Sequence, residues 1–193
     1  TAVAKPHPIN ANFDSARATS LQNTGHSVQV NFAAGSWVEF GGKKYELKQA
    51  HFHTPSEHFI DGMTAPMELH IVSARDAQDK SPEYLVLGFL FRMGKENRFL
   101  NKFKERVPKK KGEAPLSGER PLINEVLDGK SFTAQSYYHY NGSLTTPPYT
   151  ERVSWFVDEE ILEASPEQIA YVNEIEGNNA RHIQTTSGRV VEK

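Results

Sequence analysis

Alternation of apolar and polar residues along short segments is the feature of this sequence that most restricts its fold. The alternation recurs in four runs, and two further runs are largely apolar and rich in β-branched and aromatic residues, which is typical of buried strands. The alternating runs are SVQVNF (27–32), SWVEF (36–40), KYELKQAHFH (44–53) and MELHIVSA (67–74), and the others are YLVLGFLF (84–91) and RVSWFV (152–157). Because short glycine-containing breaks separate them, the sequence predicts a mainly β protein with antiparallel connections.

Two segments have the pattern of surface helices packed on the sheet. KENRFLNKFKERV (95–107) places four apolar residues on one face of a helix, and a proline follows its last residue. SPEQIAYVNEIEG (165–177) begins with Ser165 as an N-cap, completes a capping box at Gln168 and ends at a glycine. The polar run PKKKGEAPLSGERP (108–121) predicts a solvated loop between them.

Length, charge and the absence of cysteine narrow the classes of function. The 193 residues suit a single domain over residues 1–193, and Lys and Arg (22) nearly balance Asp and Glu (24). No basic excess indicates nucleic acid, and no apolar run is long enough to span a bilayer, so the expected partner is a small molecule. Without cysteine, any metal must be held by His, Asp or Glu. The chain starts without methionine or a leader pattern, which leaves a removed leader and a shortened chain both open.

The stretch QAHFHTPSEH (49–58) raises the question of a metal site. His51 and His53 are two apart in a predicted strand, so both side chains leave the same face. Eight histidines often produce one such pair by chance, and two ordinary polar strand residues would explain it equally well. His70 is the strongest third candidate, because it lies between apolar neighbours in a strand that could pair antiparallel with residues 49–53. Three imidazoles and one open position form the pattern of a catalytic zinc site.

Two polar residues support this metal hypothesis. Gln49 lies two residues before His51, and Glu68 lies two residues before His70, so each shares a strand face with the candidate ligand that it precedes. Each side chain could bind the ring nitrogen that faces away from the metal and so orient the imidazole. The sequence thus predicts a metal site that is supported by hydrogen bonds.

Several separated motifs then stand in a fixed order along the chain. They are TGHSVQVNF (24–32), QAHFHTPSEH (49–58), ELHIVS (68–73), NGSLTTPPYTERVSW (141–155) and NNARHIQTTSGRVV (178–191). Together they resemble the α-class carbonic anhydrases, in the form typical of bacterial members. The similarity runs from about residue 8 to the end of the chain.

The resemblance implies both a fold and an activity. The fold would be a ten-stranded, mostly antiparallel twisted sheet with Zn²⁺ at the base of a cone-shaped cleft. The activity would be the reversible hydration of carbon dioxide to bicarbonate and a proton by zinc-bound hydroxide. Carried over by position, the zinc ligands would be His51, His53 and His70, with Gln49 and Glu68 as their hydrogen-bond partners.

Further roles are implied by position in the same motifs. The backbone carbonyl of Asn179 would accept a hydrogen bond from His53. Thr145 would donate a hydrogen bond to Glu57, which acts as a fixed acceptor. Thr145 would in turn accept a hydrogen bond from the zinc-bound hydroxide. His26 would carry the proton to solvent, which suits an imidazole because its ordinary pKa lies near neutrality. Thr146 would contact bicarbonate. Five apolar side chains would form the wall that carbon dioxide contacts: Val72, Val86, Leu144, Val153 and Trp155.

Alternatives and departures from the family accompany this interpretation. The alternatives are a catalytically silent binding module of the same fold and a zinc esterase side activity. The family normally carries a further N-terminal segment, and secreted members often have a cysteine where this chain has Tyr149. We therefore expect an uncovered apolar surface that a second copy covers in a homodimer. The bacterial resemblance also implies a periplasmic or secreted location. The remaining histidines are expected to be structural or surface residues, and they are His7, His58, His139 and His182.

Overall fold

Strands make up most of the regular structure in the computed structural model, which describes residues 8–78, 81–118 and 122–193. Within those residues eleven strands form one sheet, and two short strands form a separate hairpin. The strands are β1 (Asn10–Asn12), β2 (Ala18–Asn23), β3 (Val28–Phe32), β4 (Trp37–Phe40), β5 (Lys43–His53), β6 (Phe59–Ile60), β7 (Met63–Thr64), β8 (Met67–Asp76), β9 (Pro82–Met93), β10 (Gly112–Pro115), β11 (Tyr137–Ser143), β12 (Glu151–Asp158) and β13 (Leu162–Ala164).

The sheet is mostly antiparallel, as the sequence predicts. Its main order is β10-β2-β3-β5-β8-β9-β12-β11, with β1 on β4, β4 on β5 and β13 on β9. Only β12 and β13 pair in parallel, both with β9, and the other strand pairs are antiparallel. The described residues thus contain eleven sheet strands, where the family resemblance implies ten. All six strands predicted from the sequence are present.

One predicted loop is partly a strand. Residues 108–121 are expected to form a solvated connection, but β10 within them pairs antiparallel with β2 at the edge of the sheet. Backbone hydrogen bonds suffice for such pairing, and edge strands are commonly polar. The Glu113 carboxylate of β10 accepts hydrogen bonds from Ser20 of β2 and Asn31 of β3. The prediction was therefore wrong for β10, and residues 119–121 lie outside the described residues.

The two predicted helices differ in how closely they match. Helix α2 (Pro166–Glu176) has the predicted Ser165 cap, capping box with Gln168 and terminal glycine. Helix α1 (Arg98–Asn101) is much shorter than predicted, although the four apolar residues of its segment are buried. The helix begins only after Asn97, whose side chain caps it by accepting a hydrogen bond from the Phe99 N–H. A helix could not continue to residue 107, because Glu105 has a positive φ of 66°. Two 3-10 helices, Ile123–Leu127 and Phe132–Ala134, complete the regular structure. Within the described residues, none of the helices has the length and apolar character needed to cross a bilayer.

Side-chain alternation gives the two faces of the central strands different environments. One face of β5, β8, β9 and β12 packs into the main apolar core, for example through Phe52, Leu69, Phe89 and Phe156. The intervening residues point to the other face, because successive side chains of a strand alternate. That second face carries the three candidate ligands together with a smaller apolar cluster. The fold therefore places the candidate ligands of β5 and β8 on the face opposite the main core.

Candidate metal centre

The pairing of β5 with β8 brings the three candidate histidines together. His51 lies directly opposite His70 in this antiparallel pair, which confirms the predicted pairing of the two strands. His53 leaves the same face two residues further along β5. The ring centroids are 5.0 Å apart for His51 and His53, 5.2 Å for His51 and His70, and 4.6 Å for His53 and His70. One nitrogen from each ring lies within 4.8 Å of the other two, so one ion could contact all three.

Hydrogen bonds define which nitrogen of two rings is free. His51 Nδ1 lies 2.9 Å from Oε1 of Gln49, which can only accept, so Nδ1 carries the hydrogen and Nε2 keeps a lone pair. His70 Nε2 lies 2.8 Å from Oε1 of Glu68, and a carboxylate also only accepts. The lone pair of His70 is therefore on Nδ1. Both rings are thus held in tautomers that leave one nitrogen available to a metal.

His53 provides the test of whether the site fits a metal. Its ring is buried, and among the described residues neither of its nitrogens forms a hydrogen bond of normal geometry. The backbone of Asn179 acts in the direction of raising the pKa of His53, but the expected hydrogen bond to its carbonyl is not formed with normal geometry. A buried polar atom without a partner is costly, and a bound metal would give one His53 nitrogen a partner. The His53 ring therefore fits the role of a metal ligand.

Burial keeps the two β5 histidines neutral. Desolvation, followed by the nearby His53 and His70 rings, holds the pKa of His51 well below its usual value. Desolvation and then His70 lower the pKa of His53 to about 4, against the opposing charge of Glu57. A metal must compete with protons for imidazole lone pairs, and this competition is weak when the rings are already neutral.

Glu68 connects the metal-site face to the loop that follows β5. Its carboxylate is fully buried and accepts four hydrogen bonds: Oε2 from the backbone N–H groups of Glu57 and His58, and Oε1 from the His58 and His70 rings. Burial alone would raise the pKa of Glu68, but His58 and His70 outweigh it and hold this pKa well below its usual value. The carboxylate is therefore ionised in the interior because every lone pair has a donor.

His58 belongs to this network and not to the ligand set. Its Nδ1 lies 2.5 Å from Glu68 Oε1, and its Nε2 lies 2.7 Å from the Tyr140 hydroxyl. Burial lowers the pKa of His58, but the Glu68 charge outweighs burial and raises it. His58, Glu68 and His70 also lie close enough to hold an ion, yet both His58 nitrogens already have partners. His58 is thus held by hydrogen bonds inside the fold.

Glu57 lies beside the three candidate ligand histidines, and one of its carboxylate oxygens has no hydrogen-bond partner among the described residues. Oε1 accepts a hydrogen bond from the backbone N–H of Arg181 at 2.8 Å. Oε2 is 3.4 Å from His53 Nε2 and 3.9 Å from His70 Nδ1, and within the described chain it has no hydrogen-bond partner. Thr145 lines the same groove of about 430 Å³ as Glu57, but no hydrogen bond joins the two residues. The expected contact between them is therefore not formed, and Oε2 remains available as its acceptor.

The apolar residues expected to face carbon dioxide form one cluster. Four of them are buried together, and Leu144 packs against them. The Trp155 ring centroid lies 4.7 Å from that of His70, so the cluster borders the candidate ligands. Thr146 is exposed and is not part of the cluster. The four buried members are Val72, Val86, Val153 and Trp155.

The other histidines are spread over different environments. His26 is exposed in the turn before β3, and its backbone carbonyl accepts a hydrogen bond from the Asn179 side chain at 2.8 Å. His139 is buried and bonded to Glu192, and His182 is exposed. His7 lies outside the described residues.

Sequence reasoning missed three contributors to this site. Arg181 acts through its backbone N–H, and Tyr140 through its hydroxyl, and both partners are distant in sequence. Gly88 lies opposite His70 in β9, where an added Cβ would be 3.1 Å from Glu68 Oε1. A lone glycine inside an apolar strand is the one signal that could have indicated such a close approach.

These features define a class of protein: a β-sheet protein with three clustered imidazoles that could hold a metal, beside an apolar wall. The sequence model of a family described as eukaryotic-type carbonic anhydrase matches residues 2–193. The chain therefore belongs to the eukaryotic-type (α-class) carbonic anhydrase family, and the resemblance seen in its motifs is confirmed.

Individual relatives agree with this assignment. A carbonic anhydrase of Nostoc sp. is 36% identical over 176 residues, which cover 90% of this chain and 63% of the relative. An α-carbonic anhydrase structure from Photobacterium profundum superimposes with a TM-score of 0.89 at 34% identity, covering 100% of this chain and 85% of that one. The enzyme of Thermovibrio ammonificans, solved with the inhibitor sulfanilamide, gives 0.88 at 34% identity, covering 100% of this chain and 82% of that one. This chain thus spans less than two thirds of the Nostoc protein's length.

Proposed function

We propose that this protein catalyses the reversible hydration of carbon dioxide to bicarbonate and a proton with Zn²⁺ as its cofactor. One observation carries the proposal: His51, His53 and His70 offer ring nitrogens within 4.8 Å of one another on a buried strand pair. Three neutral nitrogen ligands with room for a further ligand are the pattern of a catalytic zinc site. Imidazole donors without thiolates also suit zinc.

The fitting nitrogens would be Nε2 of His51, Nε2 of His53 and Nδ1 of His70. A bound Zn²⁺ supplies the positive charge that lowers the pKa of water, an effect for which carbonic anhydrases are themselves the standard example. The chain contributes neutral ligands, which leave that charge undiminished. Gln49 and Glu68 hold two of the three rings in the required tautomers.

Residues around the ligands would orient the reactants. The cluster containing Val86 and Trp155 offers carbon dioxide an apolar surface next to the His70 ring. Oε2 of Glu57 would accept a hydrogen bond from the Thr145 hydroxyl, which would leave the threonine oxygen free to accept a hydrogen bond at the metal site. Thr146 would contact bicarbonate from the exposed side.

Release of the proton to solvent is assigned to His26. Its exposed position before β3 gives it access to buffer, and imidazole exchanges protons readily near neutral pH. The turn that carries it is hydrogen-bonded to Asn179, which also binds the strand of His53.

Two further proposals concern the state of the protein. We propose a homodimer in which a second copy covers exposed apolar side chains of this chain. A mass of one chain by light scattering at micromolar concentration would contradict it. We also propose a periplasmic or secreted location from the bacterial resemblance, which cell fractionation tests.

The deciding experiment is stopped-flow hydration of carbon dioxide, with zinc content measured on the same samples. We expect the zinc-loaded protein to be active, and the chelated protein and His51→Ala to fall to the uncatalysed rate. His182→Ala is the matched control for zinc content, because this histidine is exposed and lies outside the ligand group. We also expect inhibition by sulfanilamide, the ligand held by the Thermovibrio relative.

The same samples separate the alternatives. A protein that binds one zinc through the three histidines but hydrates no carbon dioxide would be a silent binding module. Hydrolysis of an activated ester that persists without hydration of carbon dioxide would favour the esterase. Full activity in His51→Ala would exclude the proposed metal centre.

A further inference from the structure

The side chain of Asn179 makes three hydrogen bonds to backbone groups, and it also acts on the Glu176 carboxylate as a hydrogen-bond donor. Its Oδ1 accepts from the N–H of Thr54 at 3.0 Å, and its Nδ2 donates to the carbonyls of Phe52 at 3.2 Å and His26 at 2.8 Å. Its own backbone N–H donates to the Thr54 carbonyl at 3.2 Å. Phe52 and Thr54 flank His53, so one carboxamide binds the chain on both sides of a candidate metal ligand.

This part of β5 needs a partner because its neighbouring strand ends early. β3 pairs with β5 only from Gln29 opposite His51 to Asn31 opposite Gln49. Beyond His51 the chain before β3 has already turned away, which would leave the buried Phe52 and Thr54 backbone without a strand on that side. Buried backbone groups without partners are costly. The carboxamide, with one acceptor and two donors in a plane, takes the place of the missing strand.

The same amide nitrogen also fixes the turn that carries His26. The carbonyls of His26 and Phe52 share the two hydrogens of Nδ2. One rigid planar group therefore links the His26 turn directly to the His53 strand. A second bridge runs in parallel, because the Glu176 carboxylate accepts from Val28 at 2.9 Å and from the Thr54 hydroxyl at 3.2 Å.

We propose that the Asn179 side chain is a positioning residue, which holds the His26 turn at a fixed distance from the metal-ligand strand so that His26 can carry protons to solvent. This inference rests on the proposed function, and it concerns the side chain of Asn179, not its backbone carbonyl. Proton transfer depends steeply on donor and acceptor geometry, and groups held within about 0.5 Å of the productive position perform best. A looser His26 turn would slow proton release without changing the site where carbon dioxide reacts.

Asn179→Asp tests the proposal most sharply. Aspartate has the same shape and keeps an acceptor for Thr54, but it loses the amide hydrogens that face Phe52, His26 and the Glu176 carboxylate. Asn178→Asp is the matched control, because it adds the same charge at an exposed neighbouring position whose side chain accepts a hydrogen bond from Asn173. Should Asn179→Asp not fold by circular dichroism, Asn179→Gln keeps the amide and displaces it by one methylene.

In weak buffer we expect Asn179→Asp to lower kcat for carbon dioxide hydration by about tenfold, as loss of a proton-transfer path would. We expect kcat/KM to fall by less than kcat and added imidazole to restore the part of kcat that is lost beyond kcat/KM, with zinc content measured on the same samples. Equal losses in kcat and kcat/KM of Asn179→Asp, without rescue by imidazole, would overturn the proposal. Unchanged kinetics of Asn179→Asp would also overturn it if His26→Ala is slow.

A readout independent of activity separates this inference from the proposed function. Backbone NMR order parameters for residues 25–27 should fall in Asn179→Asp and should be unchanged in Asn178→Asp. Unchanged order in both variants would overturn the positioning role whether or not the protein hydrates carbon dioxide. An inactive wild-type protein with the expected loss of order would overturn the proposed function and would leave the structural part of the inference supported.

Discussion

Oε1 of Glu68 lies 2.8 Å from Nε2 of His70, on a carboxylate that has no exposed surface. The same carboxylate accepts from the backbone of Glu57 and His58, so one side chain orients a candidate ligand and fixes the loop after β5. Its four donors explain how a charge is kept in the interior, since a buried carboxylate is tolerated only when its lone pairs are satisfied.

Replacement of Glu68 by glutamine should therefore weaken both metal binding and the fold. The amide group of glutamine would point hydrogens either at the two backbone N–H groups or at the two imidazoles. We expect zinc affinity to fall by about 10- to 100-fold and the free energy of unfolding to fall by about 1–3 kcal/mol. Competition with a chelating dye and urea titration measure the two effects. Glu174→Gln, on the exposed face of α2, is the control, and equal behaviour of both variants would contradict the expectation.

Gly88→Ala should disturb the same carboxylate by steric contact. The added Cβ would lie 3.1 Å from Glu68 Oε1 and 3.5 Å from Val157 Cγ2, in a packed strand with little room to adjust. Overpacking of this kind costs about 1–3 kcal/mol, so we expect a lower unfolding midpoint and weaker zinc binding. Gly112→Ala is the control, because its nearest non-neighbouring atom is 3.7 Å away. The idea fails if Gly88→Ala binds zinc as tightly as the wild type.

Zinc should stabilise the fold through the three histidines. A ligand that binds only the folded state adds about 2.7 kcal/mol when its free concentration is 100 times its Kd. We expect a corresponding rise in the thermal unfolding midpoint when zinc is added to chelated protein. Calorimetry of His51→Ala should show a much smaller rise, whereas His182→Ala should respond as the wild type does. A rise of equal size in His51→Ala would mean that zinc binds elsewhere.

Glu176 should make stability fall as pH rises. Burial is the largest cause that raises the pKa of Glu176 to about 8, against the opposing hydrogen bond from Val28. The folded state therefore binds the proton more tightly than the unfolded state, whose pKa is near 4.5. This contribution to stability is complete below pH 4.5 and is lost between about pH 4.5 and 8, at up to about 1.4 kcal/mol per pH unit.

The variant Glu176→Gln carries no such proton and tests this directly. We expect the free energy of unfolding of the variant, relative to the wild type, to rise steadily over that pH range. Urea titrations at pH 5, 6.5 and 8 measure it, with Glu174→Gln as the exposed control. A difference between variant and wild type that does not vary with pH would show that the Glu176 carboxyl does not titrate there.

Local patterns were sufficient for much of the fold. Period-two alternation identified β5 and β8 and separated their core residues from His51 and His70, because side-chain direction in a strand depends only on local geometry. Capping residues identified α2, because a helix cap also depends only on residues that are close in sequence. The edge strand β10 was missed, because its pairing with β2 comes from backbone groups that every sequence possesses.

The sequence by itself determined which residues can share a strand face, and so it indicated the ligand histidines with their partners Gln49 and Glu68. Only the tertiary structure decided which distant groups meet them. The Arg181 backbone at Glu57, the Asn179 amide between His26 and the β5 edge, and the space left by Gly88 all depend on segments far apart in the chain. Such contacts use backbone atoms or an absent side chain, and among them only the lone glycine inside an apolar strand leaves a signal in the sequence.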